Sequence, residues 1–438
     1  MKYLLLIIWF LFFTKLFVFW VWLWQLKEYH WGRFRAHFET QTLRKLFFSI
    51  HGIRYPKLTK KTILVLICGF ILELLFINTD PSLIYLITTL IIAPLFTSLL
   101  ILLFQIPVFI IIKRTLKRAK EKRKQFKGLT VVGIAGSYGK TAVKEFLFEI
   151  LSEKFKTLKT KKNTNVEIGI AKTILEELDS SHQFLIVEIG AYERGKIKQV
   201  CDIIKPKIGI LTGINEQHLS TFGSFENIKK AKYEILECSE IKINYKDLNL
   251  IATDIIIEKE YLSFKIDGVN FRTNLLGKHN IDNILLAVSC AKKLGMNLEE
   301  ISMACSKIRP EQGAMKIINR NPIILDASYS ANSDGVIADL EYLKLYSGQK
   351  IIIMPCLIEL GTTAKEVHQR IGRKIAEVCD LAIITTRDYF KEIKQESPKA
   401  VLIESPKEII AKIKQFAGPG DVVLLEGRVP KEIKSVKS

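Results

Sequence analysis

Residues 3–24 are apolar at nearly every position (YLLLIIWFLFFTKLFVFWVWLW), with Lys15 as the one charge. A bilayer crossing needs about 20 such residues in a row, and the run is too long for a cleaved leader, with no small-residue cleavage site after it. Two more runs follow: 62–78, interrupted by Glu73, and 82–112, which contains Pro94. At about 1.5 Å per residue the third outreaches a 30 Å hydrocarbon core, so it tilts, continues into the cytoplasm, or breaks at Pro94 into a re-entrant hairpin. Three spans are expected. Trp20, Trp22 and Trp24 gather at the end of the first run, as residues of an interfacial aromatic belt do. Lys15 and Glu73 are charges within spans, and an ion pair between them is the expectation.

After residue 128 the pattern changes. Short apolar runs bounded by turn residues alternate with amphipathic stretches, which is how parallel α/β layers read. Strands are expected at Leu129–Ile134, Phe184–Ile189, Ile208–Thr212, Pro322–Asp326, Lys350–Met354, Leu381–Thr385 and Asp421–Glu426, with helices such as Thr141–Glu153, Ser224–Glu237 and Ile281–Leu294 between them. Pro310 and Gly313 interrupt the pattern. The expected organisation is a membrane region over 1–127, a nucleotide-binding domain over 128–312 and a second, Rossmann-like domain over 313–438.

Charge sharpens the membrane reading. Of the formal +20, residues 1–127 supply +15, from 20 Lys and Arg against 5 Asp and Glu. Nine basic residues lie in 25–61 and nine more in 113–127, whereas the Asn78–Pro81 connector has none. The positive-inside rule then puts both basic segments and everything after 128 in the cytoplasm, with the N-terminus outside. The run at 113–127 reads as a contact with anionic lipid rather than with nucleic acid, because it adjoins apolar spans. Seven scattered cysteines, with neither a C-x-x-C pair nor zinc spacing, read as buried free thiols.

Chemistry enters at Val131-Val132-Gly133-Ile134-Ala135-Gly136-Ser137-Tyr138-Gly139-Lys140-Thr141. A strand feeds a glycine-rich turn and a helix opens after it. That arrangement lets main-chain N–H groups approach phosphate, adds the positive end of a helix, and supplies a lysine for the terminal phosphates and a hydroxyl for Mg²⁺. Ile134 stands where the strict phosphate-loop pattern has its first glycine.

Further segments follow in order: Asn163-Thr164-Asn165, Val187-Glu188-Ile189-Gly190, Thr212-Gly213-Ile214-Asn215-Glu216-Gln217-His218, Ala231-Lys232-Tyr233-Glu234-Ile235 and Gly277-Lys278-His279-Asn280-Ile281-Asp282-Asn283. Beyond 313 come Asp326-Ala327-Ser328-Tyr329-Ser330-Ala331-Asn332, Ile358-Glu359-Leu360-Gly361 with His368, and Asp421–Gly427. In this order and spacing, over about 128–438, the chain resembles the Mur ligases, and within them the branch that adds D-alanyl-D-alanine. The resemblance implies an ATP- and Mg²⁺-dependent carboxylate–amine ligase that works through an acyl phosphate. The substrates implied are a UDP- or lipid-linked cell-wall peptide and an amino acid or dipeptide.

The resemblance also implies roles. Lys140 would hold the β- and γ-phosphates, with Gly136, Ser137, Tyr138 and Gly139 as main-chain donors. Thr141 and Glu188 would hold one Mg²⁺ and His218 a second. Lys232 would be carbamylated, unlike its neighbours Lys229 and Lys230. Asn163 and Asn165 would lie near the metal–phosphate cluster. Asn280, Asn283 and His279 would lie near the adenine, and Asp326, Tyr329 and Asn332 would contact nucleotide or incoming amine. Three departures stand out: apolar spans precede residue 128 where the family has a domain gripping the UDP-sugar, Gly313-Ala314 replaces Gly-Arg with Arg309 or Lys316 as the substitute cation, and Ser330–Ser333 replaces Asn-Ala-Asn-Pro. Rival readings are a poly-γ-glutamate-type ligase, a transport ATPase, for which a second signature is missing, and a weakly catalytic scaffold for wall enzymes.

Overall fold

A computed structural model describes residues 2–29, 31–36, 55–77, 82–161, 164–309, 315–329 and 331–435. The connector Asn78–Pro81, Asn163, the Pro310–Ala314 stretch and Ser330 lie outside them. The chain forms two compact units, Met1–Thr115 and Leu116–Ser438.

In the first unit the apolar runs are helical: Lys2–Leu26, Lys60–Ile77 and Leu83–Leu103, with a short helix Trp31–Ala36. Two stretches among the described residues are long and apolar enough to cross a membrane, Tyr3–Leu26 and Leu83–Gln125. Three were expected, but Lys60–Ile77 carries Lys60, Lys61 and Glu73 in only 18 residues. Pro94 sits inside its helix and no hairpin forms there; the next helix, Gln105–Gln125, starts just beyond Phe104. Of the expected tryptophan belt, Trp20 and Trp24 are buried among the helices, with the Trp24 Nε1–H donating to Ser98 Oγ at 2.9 Å. Glu73 accepts the Thr14 hydroxyl at 3.0 Å.

The compact boundary lies before the expected residue 127, because the end of Gln105–Gln125 is fastened to the second unit. Leu116 and Ala119 are buried, Lys122 Nζ donates to the Leu175 carbonyl at 3.0 Å, and Arg123 Nε donates to the Ile204 carbonyl at 3.0 Å. Two charges of the basic run are thus used on protein carbonyls.

The second unit opens with a parallel sheet: β1 (Thr130–Ala135), β2 (Thr157–Lys159), β3 (Phe184–Glu188), β4 (Ile208–Leu211) and β5 (Ile241–Asn244), in spatial order β2-β3-β1-β4-β5. Every residue of β3 and β4 is buried, as a strand with helices on both faces requires. Strand order reverses at β1, so the loops after β1, β3 and β4 open a crevice at the carboxyl edge, where ligands bind in such sheets. Register places the chemistry: Ile134 pairs with Glu188, and Ala135 with Leu211. Glu188 and Thr212 therefore flank the turn that starts at Gly136.

A small antiparallel sheet follows, β6 (Ala252–Ile257), β7 (Leu262–Ile266) and β8 (Val269–Thr273). The last domain has six strands: β9 (Lys316–Arg320), β10 (Ile323–Ala327), β11 (Lys350–Met354), β12 (Leu381–Ile384), β13 (Ala400–Leu402) and β14 (Val422–Glu426). Their order is β13-β12-β11-β14-β10-β9, parallel except for β9. Among the cysteines, Cys201, Cys290, Cys305, Cys356 and Cys379 are buried and all seven are free.

Gly133 and Gly209 face each other in register, and the helix Phe225–Glu237 lies close over them. A Cβ on Gly209 would stand 2.5 Å from the Ile235 carbonyl oxygen, a main-chain atom that cannot swing aside. Gly209→Ala is expected to cost about 1–3 kcal/mol through overpacking, read as a lower urea midpoint at unchanged slope. An unchanged midpoint would mean that the helix is not held this close.

Candidate active site

The turn after β1 is built from residues that only its neighbours explain. Gly139 has φ +78°, in the left-handed region, and a Cβ at Gly136 would fall 1.9 Å from Thr212 Oγ1. Ser137 N–H donates to the Gly213 carbonyl at 2.8 Å, and a Cβ on Gly213 would collide with the Tyr138 ring. The turn after β1 and the loop after β4 are thus one interlocked surface, and the Ser137 N–H must leave Gly213 before it can serve a phosphate.

The helix Lys140–Ser152 begins at this turn. Lys140 Nζ donates to the Ser137 carbonyl at 2.9 Å, folding its cation back over the loop. Burial pulls its affinity for protons below the ordinary lysine value, against the pull of Glu188. The Thr141 hydroxyl donates to Glu188 Oε2 at 3.0 Å, and Asn165 Nδ2 donates to Glu188 Oε1 at 3.1 Å. Glu188 is buried and accepts from both sides. Lys144, missed in the sequence reading, is fully buried one turn along the helix, 3.3 Å from Glu188 Oε2 and 3.3 Å from Glu145 Oε1.

Lys232 is 2% exposed, whereas Lys229 and Lys230 on the same helix are exposed. Its Nζ donates to the Ala191 carbonyl at 3.1 Å. Burial, and then the charge of Lys140, push it down to about 7 from 10.5, so at pH 8 most of it is the neutral amine. His218 lies within reach of the charges of Lys232 and Lys140. Its Nδ1 is 2.7 Å from Glu359 Oε2, and the Tyr192 ring stands edge-on at 4.7 Å. Burial lowers the His218 proton affinity, which favours the neutral imidazole that can ligate a metal.

Of the remaining candidates, Asn283 touches the phosphate turn, since a Cβ on Gly139 would meet its Oδ1 at 2.5 Å. Asn280 is buried, with its Nδ2 donating to the Leu276 carbonyl at 2.7 Å, so it locks the start of its own helix. His279 Nδ1 stands 3.9 Å from Asp339 Oδ1. Tyr329 shares a hydrogen bond with Thr141 and lies near Glu188. Asp326 is engaged by Lys434 at 3.1 Å and by Ser328. Asn332 caps the helix Ser333–Leu343, and its Oδ1 also accepts from Asn215 Nδ2 at 3.1 Å. His368 is a core residue: Nε2 accepts the Leu357 N–H at 3.0 Å, Nδ1 donates to the Ala364 carbonyl, and the ring stacks on Tyr389.

Among the described residues, no three His, Cys, Asp or Glu side chains are grouped to cage a metal unaided. One buried carboxylate beside a hydroxyl suits Mg²⁺, which keeps waters and takes most of its protein-bound charge from one or two carboxylates and substrate phosphates. Glu188 and Thr141 meet that description.

Residues 134–252 match the Mur ligase middle domain and residues 315–429 the Mur ligase, glutamate ligase domain. A UDP-N-acetylmuramoyl-tripeptide–D-alanyl-D-alanine ligase of Synechocystis is 28% identical over 326 residues, 68% of this chain and 71% of that one. The enzyme of the same name from Buchnera aphidicola subsp. Baizongia pistaciae is 30% identical over 318 residues, 65% of this chain and 69% of its own. Among solved structures, MurF from Acinetobacter baumannii superposes with a TM-score of 0.66 at 25% identity, covering 72% of this chain and 77% of that one.

Proposed function

From the premise that this chain belongs to the Mur ligase family and is an ATP-dependent ligase, we propose that it joins D-alanyl-D-alanine to the terminal carboxylate of a UDP-linked muramoyl tripeptide. The relatives named above carry that activity in their names. The observation that carries the reading is the convergence of Lys140, Thr141, Glu188, Lys232 and His218 on the carboxyl edge of one sheet.

A carboxylate oxygen of the acceptor attacks the γ-phosphorus and ADP leaves, giving an acyl phosphate. The dipeptide amine then attacks the acyl carbon and phosphate departs as the amide forms. Charge builds on phosphate oxygens in both steps, so fixed cations and N–H donors lower both barriers. Lys140 holds the β- and γ-phosphates and the turn at Gly136–Gly139 offers main-chain N–H groups. Thr141 and Glu188 would hold one Mg²⁺ and His218 another, with Asn165 orienting Glu188; bound there, the metal would neutralise charge shared between the phosphates. Lys232, held largely neutral by burial, is placed to take up CO₂ as a carbamate and add an anion beside His218. Asn283 and Tyr329, which border the phosphate turn and Thr141, are assigned to the nucleotide's surroundings.

ADP release measured with each substrate alone and together tests this reading. It should be slow with ATP alone and rise only when the tripeptide acceptor is added, with steady turnover requiring D-alanyl-D-alanine as well. Rapid acceptor-independent hydrolysis would favour a transport ATPase, and no hydrolysis under any condition a scaffold.

A second reading concerns placement. Ile84, Ile91 and Leu95 are 78%, 72% and 71% exposed along Leu83–Leu103, an apolar surface that water disfavours and lipid would cover. We assign the first unit to the bilayer, with the ligase on the cytoplasmic side and the acceptor reached from the membrane surface. Full-length protein in anionic vesicles should prefer a lipid-linked acceptor over the UDP-linked one, and a 116–438 fragment, which keeps the second unit whole, should lose that preference. Equal use of the soluble acceptor by both, with neither using the lipid-linked form, would reduce the helices to an anchor.

A further inference from the structure

The loop after β4 carries His218, and the last domain grips it from several elements. Asn215 Nδ2 donates to Asn332 Oδ1 and Asp334 Oδ2, each at 3.1 Å. Glu216 Oε1 accepts from Ser333 Oγ at 2.7 Å and from Arg370 Nη2 at 2.9 Å. The Ser220 N–H donates to the Glu359 carbonyl at 3.2 Å, and Gly361 lies against Ser220. At the centre of this seam the Glu359 carboxylate, 5% exposed, meets His218 Nδ1 at 2.7 Å. Both residues have left-handed backbones, φ +66° for Glu359 and +68° for His218, a conformation that costs free energy in a non-glycine residue and persists where surroundings impose it.

An ionised carboxylate can only accept, so the proton on His218 must sit on Nδ1, leaving the lone pair on Nε2. Metal-binding histidines are commonly oriented in this way by a carboxylate on the far nitrogen. Here the two partners come from different domains. We propose that Glu359 is a positioning residue for His218, so that the imidazole is turned and its tautomer fixed only when the last domain has closed on the loop after β4. Closure and completion of the metal site are then one event. This rests on the reading of His218 as a metal ligand, and the experiment separates the two.

Two variants of the full chain divide reach from charge. Glu359→Gln keeps the reach and an accepting oxygen but loses the charge; Glu359→Asp keeps the charge but is one methylene too short. Mn²⁺ binding to the ADP-loaded protein, read by electron paramagnetic resonance, should weaken about 10-fold in Glu359→Asp and much less in Glu359→Gln. Amide exchange in the 215–222 loop with ADP and Mn²⁺ should quicken in Glu359→Asp alone, while ADP binding without metal stays as in the parent. Parent-like Mn²⁺ affinity and exchange in Glu359→Asp, with His218→Ala weakened, would overturn the proposal and leave His218 as ligand. Parent-like Mn²⁺ affinity in His218→Ala would overturn both. A loss in Glu359→Gln with parent-like affinity in Glu359→Asp would show that the charge matters and the positioning does not.

Discussion

Lys140→Ala is expected to lower the ATP-dependent ligation rate by about 10²-fold or more, the scale of losing one preorganised donor from a site where charge develops. The reason is local. Lys140 is the side-chain cation folded over the phosphate turn, with its Nζ on the Ser137 carbonyl. Lys144, the next cation along the helix, is already committed to Glu188 and Glu145 and cannot replace it. Stability should change little, because Lys140 is half-buried and its one hydrogen bond within the turn goes to a carbonyl that water can reach once the side chain is gone. Unfolding midpoint and rate measured on the same preparation check this. A folded Lys140→Ala protein with an undiminished rate would remove the turn from the chemistry.

Lys232→Ala should be nearly inactive, and short carboxylic acids such as acetate should restore part of the rate by placing an anion in the vacated space. Only a neutral amine adds CO₂. Lys232 lies near 7 where an ordinary lysine lies at 10.5, so its neutral fraction is substantial at pH 8 and falls about tenfold for each unit below 7. Carbamate-dependent activity should accordingly be lost toward pH 6 and strengthened by bicarbonate at pH 8. Lys229→Ala and Lys230→Ala, at exposed positions of the same helix, should behave as surface changes. Equal losses at all three lysines, or full activity in Lys232→Ala, would exclude the carbamate.

The parts of this site that were legible in the sequence are those whose constraint is local. A buried strand must be apolar throughout, so Glu188 at the end of Phe184–Glu188 stands out as a charge at a sheet edge. The turn at Gly136–Gly139 is legible because glycine there serves backbone approach. The context of Lys232 identified the one lysine of three that is buried. What was not legible depends on residues far apart in the chain. Glu359 and His218 are separated by 141 positions, and Asn215 and Asn332 by 117; neither pair has a period or spacing to betray it. Asn332, named in the sequence for contact with nucleotide or amine, also caps a helix and is tied across the seam. Two misses did carry a signal. Lys144 sits between Val143 and Phe146 on a helix whose surrounding positions are buried, an odd place for a solvated lysine. The sheet β6–β8 is announced by Asp267-Gly268, both with positive φ, the dipeptide that two-residue hairpins favour. In the first unit, apolar runs gave the helices correctly, but composition could not show which tryptophans pack inward and which face outward.

The most direct measurement is the fate of oxygen during turnover. Tripeptide acceptor labelled with ¹⁸O in its terminal carboxylate, offered with ATP and D-alanyl-D-alanine, should give the extended peptide and ADP in equal amounts. Each phosphate released should carry one ¹⁸O, because the attacking carboxylate oxygen leaves with the phosphate. Phosphate without label, or ATP consumed with no new amide, would contradict ligation through an acyl phosphate.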